Sequence, residues 1–519
     1  MASGKSTIGR RVAELSGRRF IDLDQVLVER TGLSISDIFL RHGEPHFRRL
    51  EKDALGELMD GTARESEPPV ISVGGGALLA REVRVGVLDR AIVVTLRARP
   101  EELARRARTG SERPSLAGDD PRERIVALLT ERRSAYLEAH AVLDTDALAV
   151  DELAAAALEV WKRDPLVVAA GDRSYRVEIG SGLLDALLQP LVSGASRVVV
   201  VSNRPVMALH GETLCAALRR RGVDPVPVVL EDGEQYKTNV SLERIWQAAY
   251  ENGIDRTAVV VALGGGVVTD TAGFAAACWM RGVRWVALPT TLLAMVDASV
   301  GGKTAVDFHA AKNCVGAFWQ PSGVLCDVAL ESTEPERCYT SALAEVVKTA
   351  LIGDPELFTL LERSRDAVRA RDRDVIEELV RRSVRVKARV VSLDEREDGL
   401  RAVLNLGHTL GHALESAADY TGLTHGEAVS LGLVLALRIG ERLKRTPAAL
   451  RASATQLLRD LGLPVDAGPE RVRAAVALVG HDKKRTRDEL SFIVATDVGS
   501  VEAVRLPLEE LRALALAAA

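Results

Sequence analysis

Apolar positions in the first part of the chain form short continuous runs separated by segments with helical spacing. The runs "PPVISVGGG" and "RAIVVTLRA" lie between amphipathic stretches from Ile8 to about Leu148. Because strands that alternate with helices pair in parallel, this pattern predicts a parallel α/β sheet. An Ala-rich amphipathic helix ends at Pro165 and marks a domain boundary, so we place the first domain at residues 1–160.

A second alternation of strands and helices begins at residue 166. The stretch "LVVAAGDRSYRVEIGSGLL" alternates with period two around Gly171 and Asp172, which predicts a β-hairpin at the start of a new domain. Further strand-like runs continue to about residue 330: "SRVVVVSN", "VPVVL", "TAVVVALGGG" and "VRWVALPTT". Beyond them the apolar spacing is almost wholly helical. We therefore predict an α/β domain at 166–330 and an α-helical domain at 331–519.

The composition argues against a nucleic-acid-binding protein and against a membrane-spanning protein. The net charge is −5, from 68 basic and 73 acidic residues, and such near-balance offers no basic face for nucleic acid. No apolar run approaches the ~18–20 residues that a membrane span requires. The five cysteines form no C-x-x-C pair, which fits free thiols in a reducing cytosol. We expect a cytoplasmic protein without nucleic-acid or membrane partners.

The first chemical signal is the tetrapeptide "GKST", the closing half of the phosphate-binding loop G-x-x-x-x-G-K-[ST]. At a helix start it offers backbone N–H groups to phosphate, a lysine to the outer phosphates and a hydroxyl to Mg²⁺. Carboxylates, arginines and a glycine turn follow in the same domain: Asp22, Asp24, Arg48, Gly74, Gly75, Gly76, Arg113 and Arg132. This combination suits ATP and a small anionic polyol.

This region resembles shikimate kinase across nearly its whole length, with the motifs in the same order. The resemblance implies that Lys5, Ser6 and Thr7 hold ATP and Mg²⁺, with Ser6 as a metal ligand. It implies that Asp24 grips and activates the shikimate 3-hydroxyl, and that Arg48 and Arg132 bind its carboxylate. Gly74, Gly75 and Gly76 would approach the ring, while Arg113, with Arg106, would come from a lid.

The strand and the opening glycine that precede such a loop have no counterpart after Met1. A strand of this kind lies inside the sheet, and five buried aliphatic side chains are worth roughly 10 kcal/mol. We therefore expect protein made from Met1 to show weak or absent kinase activity. An in-frame upstream extension of apolar and glycine residues is expected to restore it.

The second group of signals lies beyond residue 260. The segment "ALGGGVVTDTAGF" follows a strand and opens a helix, so its glycines favour close approach of backbone to a pyrophosphate. His408 and His412 are four residues apart on a helical pattern and, with Glu345, suggest a divalent metal site. The alternative for this pair is two histidines satisfied in a helical core, and His425 with the surrounding lysines and arginines favours the metal site. One carboxylate and two imidazoles suit Zn²⁺, and the cations suit a substrate with phosphate and carboxylate groups.

From about residue 166 to the C-terminus the chain resembles 3-dehydroquinate synthase. The resemblance implies that Glu345, His408 and His425 bind Zn²⁺ or Co²⁺, with His412 as a nearby catalytic or orienting group. It also implies an NAD site formed by Asp232, Gly233, Glu234, Gln235, Tyr236, Lys237, Gly266, Val267, Val268, Thr269, Asp270, Thr290, Thr291, Lys303, Lys312, Leu330, Glu331, Ser332 and Thr333.

The same resemblance assigns the substrate contacts. Lys303, Asn313 and either Lys483 or Lys484 would hold the phosphate, and Arg281 would reach it from the partner subunit of a homodimer. Lys387, Arg401 and Asn405 would take the carboxylate, and Asp297 and Lys348 the ring hydroxyls. Asp307 stands where that family more often has asparagine, which puts one contact near NAD in doubt.

The implied chemistry is the cyclisation of a seven-carbon keto-acid phosphate, in which NAD⁺ accepts a hydride and later returns it. The sequence therefore predicts a bifunctional enzyme of chorismate biosynthesis. Two alternatives are a synthase with a non-catalytic kinase-like scaffold, and a related sugar-phosphate cyclase or polyol dehydrogenase. A polyol would not need the carboxylate clamp of Lys387, Arg401 and Asn405, which argues against the second alternative.

Overall fold

The computed structural model describes residues 2–62, 65–108, 121–309, 311–418, 422–479 and 489–519. The chain divides into two units, Met1–Arg176 and Val177–Ala519. Three predicted site residues, Arg113, Lys483 and Lys484, lie outside the described residues.

The first unit consists of helices and short strands. Its strands are β1 (Phe20–Asp22), β2 (Val70–Ser72), β3 (Val94–Arg97), β4 (Ala141–Asp144) and β5 (Leu166–Val168). Its helices are α1 (Lys5–Ser16), α2 (Leu23–Thr31), α3 (Ile35–His42), α4 (Glu44–Thr62), α5 (Arg81–Leu88), α6 (Pro100–Arg108), α7 (Pro121–Glu131), α8 (Arg133–Leu137) and α9 (Val150–Arg163).

Four strands of the first unit, β1 to β4, pair in parallel, as predicted. Ile21 of β1 lies opposite Ile71 of β2, and Leu96 of β3 lies opposite Leu143 of β4. These are two separate pairs within the described part of the unit. Helices α2, α3 and α4 bury Leu23, among other apolar side chains, in one core, which fixes the ends of α2 and α4 near β1 and β2.

The second unit begins with a parallel sheet. Its strands are β6 (Tyr175–Gly180, which crosses the boundary), β7 (Val198–Asn203), β8 (Pro225–Leu230), β9 (Val259–Gly264), β10 (Arg284–Pro289), β11 (Lys303–Phe308), β12 (Ala311–Phe318), β13 (Gly323–Asp327), β14 (Glu489–Asp497) and β15 (Ser500–Pro507). Six of them are neighbours in the order β6-β13-β10-β9-β7-β8, all parallel. Val261 of β9 lies opposite Val200 on one side and Val286 on the other. Because both faces are covered, these strands are continuous apolar runs, as the sequence predicts.

Helices alternate with the strands of this sheet and form most of the chain after it. Its helices are α10 (Leu184–Val192), α11 (Arg204–Val206), α12 (Glu212–Arg220), α13 (Asn239–Glu251), α14 (Gly266–Cys278), α15 (Glu336–Gly353), α16 (Pro355–Arg363), α17 (Arg365–Arg369), α18 (Arg373–Leu393), α19 (His408–Ala417), α20 (His425–Arg442), α21 (Ala448–Asp460), α22 (Pro469–Leu478) and α23 (Leu508–Ala518). Two π-helical turns span Met207–Gly211 and Ala294–Ala298, and the second carries Asp297.

The predicted fold class, α/β followed by a helical region, is confirmed, with two antiparallel hairpins that the sequence interpretation missed. Strand β11 pairs with β12, and β14 pairs with β15. Residues 331–519, predicted as an almost wholly helical domain, therefore also contain a β-hairpin over 489–507. Across the part of the chain that the structure describes, the helices are all too short or too polar to cross a lipid bilayer.

Candidate active sites

Three helices bring a carboxylate and two imidazoles together in the second unit. Glu345 lies in the interior of α15, while His408 and His425 are the first residues of α19 and α20. Gly426 permits this approach, because an added Cβ would overlap the carbonyl oxygen of Ser341 on α15. The backbone N–H of Gly426 also donates to Ser341 Oγ at 3.0 Å, which ties the start of α20 to α15.

The ligand atoms of these three residues converge. Glu345 Oε1 lies 3.3 Å from His408 Nε2 and 3.2 Å from His425 Nε2, and the three ligand atoms all lie within 4.8 Å of one another. His412 lies beside them, with ring centroids 5.1 Å from His408 and 6.0 Å from His425. One carboxylate oxygen and two imidazole nitrogens at this spacing fit a divalent cation such as Zn²⁺.

The electrostatics of the cluster follow from burial and from Lys348. Burial alone would raise the pKa of Glu345, but the adjacent Lys348 ammonium and the histidines hold it well below its ordinary value. Burial lowers the pKa of His412 to about 3, so this imidazole is neutral. Burial also opposes the charge on His425, but hydrogen bonds to Glu345 and Glu415 outweigh it and raise the pKa to about 10. Since a ligand imidazole must be neutral, a bound cation would displace that proton.

The order of the strands reverses at the carboxyl ends of β7 and β9, which is the expected place for a dinucleotide. The chain runs from β7 outward to β8 and then returns to β9 on the other side, and ligands of open α/β sheets bind at such a reversal. Gly265 leads from β9 into the N-terminus of α14. Asn203, at the end of β7, donates through Nδ2 to Asp232 Oδ1 at 2.6 Å. The buried Thr290 Oγ1, after β10, has no hydrogen-bond partner among the described residues, which leaves it available to a ligand.

Other residues assigned to NAD line the same region. Buried Lys237 donates to Asp270 Oδ2 at 2.6 Å and also to Asn313 Oδ1. Burial opposes the charge on Lys237, but Asp270 outweighs it and raises the lysine pKa. Asp307 Oδ1 accepts from the Asn313 backbone N–H at 2.7 Å, so this unexpected residue holds the adjacent turn. Most of the remaining assigned residues lie in the turn Glu234–Tyr236 with Gly233 before it, in the first turn of α14, and in the turn Glu331–Thr333 with Leu330 before it. Thr291 follows β10, Lys303 begins β11, and Lys312 lies on β12.

The residues assigned to substrate form two polar networks. Lys387 Nζ donates to the backbone oxygen of Asp297 at 2.6 Å and also to its carboxylate. In the second network, Glu397 accepts from Lys303 Nζ at 2.6 Å and from Asn405 Nδ2 at 3.1 Å. Glu397 therefore joins a residue assigned to phosphate with one assigned to carboxylate. Sequence reasoning missed Glu397, because it lies between helices and its contacts with Lys303 and Asn405 leave no periodic signal.

Arg401 and Arg281 occupy contrasting environments. Arg401 is only 1% exposed, and its guanidinium donates to the backbone oxygens of Glu395 and Gly301 at 2.6 and 3.2 Å. Arg281 is exposed on the turn Trp279–Arg281 and has a left-handed backbone with φ of 64°.

In the first unit, the residues of the predicted phosphate-binding loop lie next to the carboxylate of Asp22. Lys5 begins α1 directly after Gly4, which has a φ of 84°. Ser6 Oγ donates to Asp22 Oδ2 at 2.8 Å, and Asp22 Oδ1 accepts from the Asp24 N–H at 3.2 Å. A hydroxyl and an aspartate at the end of a strand are the pair that holds Mg²⁺ in phosphate-loop enzymes.

The glycine turn lies against the predicted shikimate residues. A Cβ added to Gly76 would overlap the Arg48 guanidinium, and one added to Gly74 would overlap Glu51 Oε1. Arg48 donates to Glu51 Oε2 at 2.6 Å, and burial raises the pKa of Glu51. Sequence reasoning missed Glu51, although it lies one helical turn after Arg48.

The two remaining arginines differ in their contacts. Arg132 is buried, and its Nε has no hydrogen-bond partner in the described part of the chain. Arg106, assigned to the lid, donates to Glu102 at 2.6 Å and to Thr145 Oγ1 at 2.9 Å. Arg132 is thus suited to an anionic ligand, whereas Arg106 is held within the unit.

Arg48→Ala is expected to weaken shikimate binding at least about tenfold, because a hydrogen bond to a charged group contributes ~1.5–3 kcal/mol. Isothermal titration of the full chain with shikimate and, separately, with ATP measures this, and ATP affinity should stay within about twofold. The exposed neighbour Arg49 supplies a matched control, Arg49→Ala. Unchanged shikimate affinity in a folded Arg48→Ala protein would contradict the assignment.

Comparison with known proteins identifies the second unit. Residues 227–341 match the family model for the N-terminal part of 3-dehydroquinate synthase, and residues 342–485 match the model for its C-terminal part. The 3-dehydroquinate synthase of Geobacter metallireducens is 44% identical over 347 residues, which cover 66% of this chain and 96% of that protein. The chain belongs to the 3-dehydroquinate synthase family. Residues 1–162 match the shikimate kinase model, so the predicted fusion of a kinase domain to a synthase is confirmed.

Solved structures agree with this membership. The 2-epi-5-epi-valiolone synthase of Streptomyces hygroscopicus subsp. jinggangensis, with NAD⁺ and Zn²⁺ bound, is 30% identical with a TM-score of 0.60 and covers 66% of this chain and 96% of that chain. A 2-deoxy-scyllo-inosose synthase complexed with carbaglucose-6-phosphate, NAD⁺ and Co²⁺ has a TM-score of 0.61 at 24% identity, with 68% and 99% covered. The second likeness shows that the synthase half shares this fold.

Proposed function

We propose that the synthase half converts 3-deoxy-arabino-heptulosonate 7-phosphate to 3-dehydroquinate and phosphate, and that the kinase half transfers phosphate from ATP to the 3-hydroxyl of shikimate. The main support for the synthase activity is that Glu345, His408 and His425 converge beside cationic side chains. The relatives named synthases, and the Zn²⁺ and NAD⁺ of the valiolone synthase, support the choice of cofactors.

Glu345, His408 and His425 would hold Zn²⁺ or Co²⁺, and the carboxyl ends of β7 and β9 would hold NAD⁺. When bound, the cation would polarise substrate oxygens, and NAD⁺ would accept a hydride from C5 and return it. The chain's own groups would then orient the substrate. Arg401 is already fixed by two backbone oxygens, so little side-chain freedom is lost when its guanidinium meets the carboxylate.

Asp297 and Lys387 would bind different groups of the substrate: Asp297 a ring hydroxyl, and Lys387 the carboxylate. Burial would raise the pKa of Asp297, but Lys387 and Lys348 outweigh it and hold the pKa at about 2, so the side chain accepts hydrogen bonds from hydroxyl groups. Burial lowers the pKa of Lys387 despite the Asp297 contact. His412, neutral beside the cation site, would orient the substrate through a ring nitrogen.

In the kinase half, Ser6 and Asp22 would hold Mg²⁺, and Lys5 and Thr7 would hold the ATP phosphates. Arg48 and Arg132 would bind the shikimate carboxylate, and Asp24 would accept the proton of the 3-hydroxyl. Phosphoryl transfer depends on positioning and on neutralisation of charge, which these groups supply.

We also propose that the synthase half forms a homodimer in which Arg281 reaches the phosphate of the partner's site. Met280 and Arg281 both have left-handed backbones, a conformation that costs energy in non-glycine residues and is typical of functional positions. A monomer in sedimentation velocity at assay concentrations would contradict this proposal.

The experiment for the synthase activity is phosphate release by the full chain with the heptulosonate phosphate, NAD⁺ and Zn²⁺. We expect release to require both NAD⁺ and a divalent cation, and to be abolished by a chelator and restored by Zn²⁺. No phosphate release under any of these conditions would contradict the proposed function.

A further inference from the structure

Glu415 is a buried carboxylate that the proposed chemistry leaves without a role. It lies on α19, one helical turn after His412. Its Oε1 accepts a hydrogen bond from Lys312 Nζ at 2.7 Å, and its Oε2 lies 3.6 Å from Nδ1 of His425. The same carboxylate therefore faces the distal nitrogen of a predicted metal ligand and a lysine assigned to NAD.

Lys312 extends this chain of charges to the nucleotide side. It lies on β12, and its Nζ is 3.8 Å from Glu234 Oε1, in the turn assigned to the dinucleotide. Acidic and basic side chains thus alternate from Glu234 through Lys312 and Glu415 to His425. The side chain of Glu415 is 6% exposed, so water screens these interactions weakly.

The position of Glu415 affects how strongly His425 can bind a metal ion. A carboxylate at the distal nitrogen of a ligating imidazole fixes the ring and makes it a stronger donor. While Lys312 binds Glu415, part of the carboxylate's charge is neutralised by the ammonium. The phosphates of a dinucleotide compete for that ammonium, so a Lys312 that turns toward them leaves Glu415 to act on His425.

We propose that Glu415 is a positioning residue that couples NAD binding to the affinity of the metal site. This inference rests on the proposed function, since it needs both ligands to bind. Such coupling is reciprocal: NAD⁺ tightens the metal, and the metal tightens NAD⁺ by the same factor. We expect a factor of at least about five, the lower end of typical couplings.

The test is a titration of the metal-free full chain with Co²⁺ in a chelator competition, with and without saturating NAD⁺. Wild type should bind Co²⁺ at least about fivefold more tightly with NAD⁺. Glu415→Gln should bind it ~10–100-fold more weakly, without an effect of NAD⁺. Lys312→Met removes the competing ammonium, so its Co²⁺ affinity without NAD⁺ should reach that of wild type with NAD⁺. The exposed Glu470 on α22 supplies a control, Glu470→Gln, which should behave as wild type.

The outcomes separate this inference from the proposed function. Wild type that binds neither Co²⁺ nor NAD⁺ would contradict the proposed function. Wild type that binds both with independent affinities, or Glu415→Gln with unchanged Co²⁺ affinity, would overturn the coupling. If Glu415→Gln fails to fold, Lys312→Met decides: Co²⁺ affinity that stays at the NAD-free wild-type value would overturn it.

Discussion

His408→Ala protein is expected to lose its divalent cation and, with it, phosphate release. His408 Nε2 is one of three convergent ligand atoms, 3.3 Å from Glu345 Oε1. Mutation of a residue that hydrogen-bonds to a metal ligand typically lowers metal affinity or activity ~10–100-fold, and removal of a ligand itself should lower it further. We therefore expect phosphate release to fall at least about 100-fold.

Metal content after dialysis, measured together with phosphate release, checks this result. Glu345 keeps its ion pair with Lys348 in the variant, so the fold should persist, which thermal unfolding of the metal-free proteins would show. His42→Ala is a suitable control, because His42 is exposed in the kinase unit. Wild-type metal content in His408→Ala would remove His408 from the ligand set.

Gly426→Ala should separate the metal ligands without altering any of them. The added Cβ would overlap the Ser341 carbonyl oxygen and lie 2.7 Å from Ser341 Oγ. Because the overlapped atom is backbone, α20 must move away from α15, and His425 moves with it. Overpacking of this kind costs ~1–3 kcal/mol, so we expect a lower Tm as well as weaker Co²⁺ binding.

Gly86→Ala provides the matched comparison. Gly86 is also helical, in α5, and an added Cβ there would meet nothing within 4 Å. Alanine is favoured over glycine in a helix by ~1 kcal/mol, so this change should be neutral or stabilising. Full Co²⁺ affinity in Gly426→Ala would show that the contact with Ser341 does not set the site.

The strands of the parallel sheet were predictable because burial on both faces leaves continuous apolar runs. The hairpin β14–β15 was not, because Phe492 to Ala495 are buried in succession and interrupt the alternation that reveals a strand. Strand β11 was hidden by the glycines before it, which suggested a loop.

The candidate metal site was predictable in part. Helical spacing in the sequence pairs His408 with His412, whereas the set Glu345, His408 and His425 came from the resemblance to 3-dehydroquinate synthase. In the structure these three side chains converge, and His412 lies beside them. The partners Glu51, Glu397 and Glu415 were missed because an isolated glutamate in a chain rich in arginine resembles a solvated surface residue. Their burial depends on contacts between distant elements, which periodicity does not report.

Recycling of NAD within each turnover can be followed by measuring phosphate release and nicotinamide absorbance in the same reaction. The full chain with Zn²⁺, excess heptulosonate phosphate and far less NAD⁺ than substrate should release phosphate for many turnovers per NAD⁺, without net accumulation of NADH. NADH formed in proportion to the substrate consumed would contradict the synthase mechanism and favour a polyol dehydrogenase.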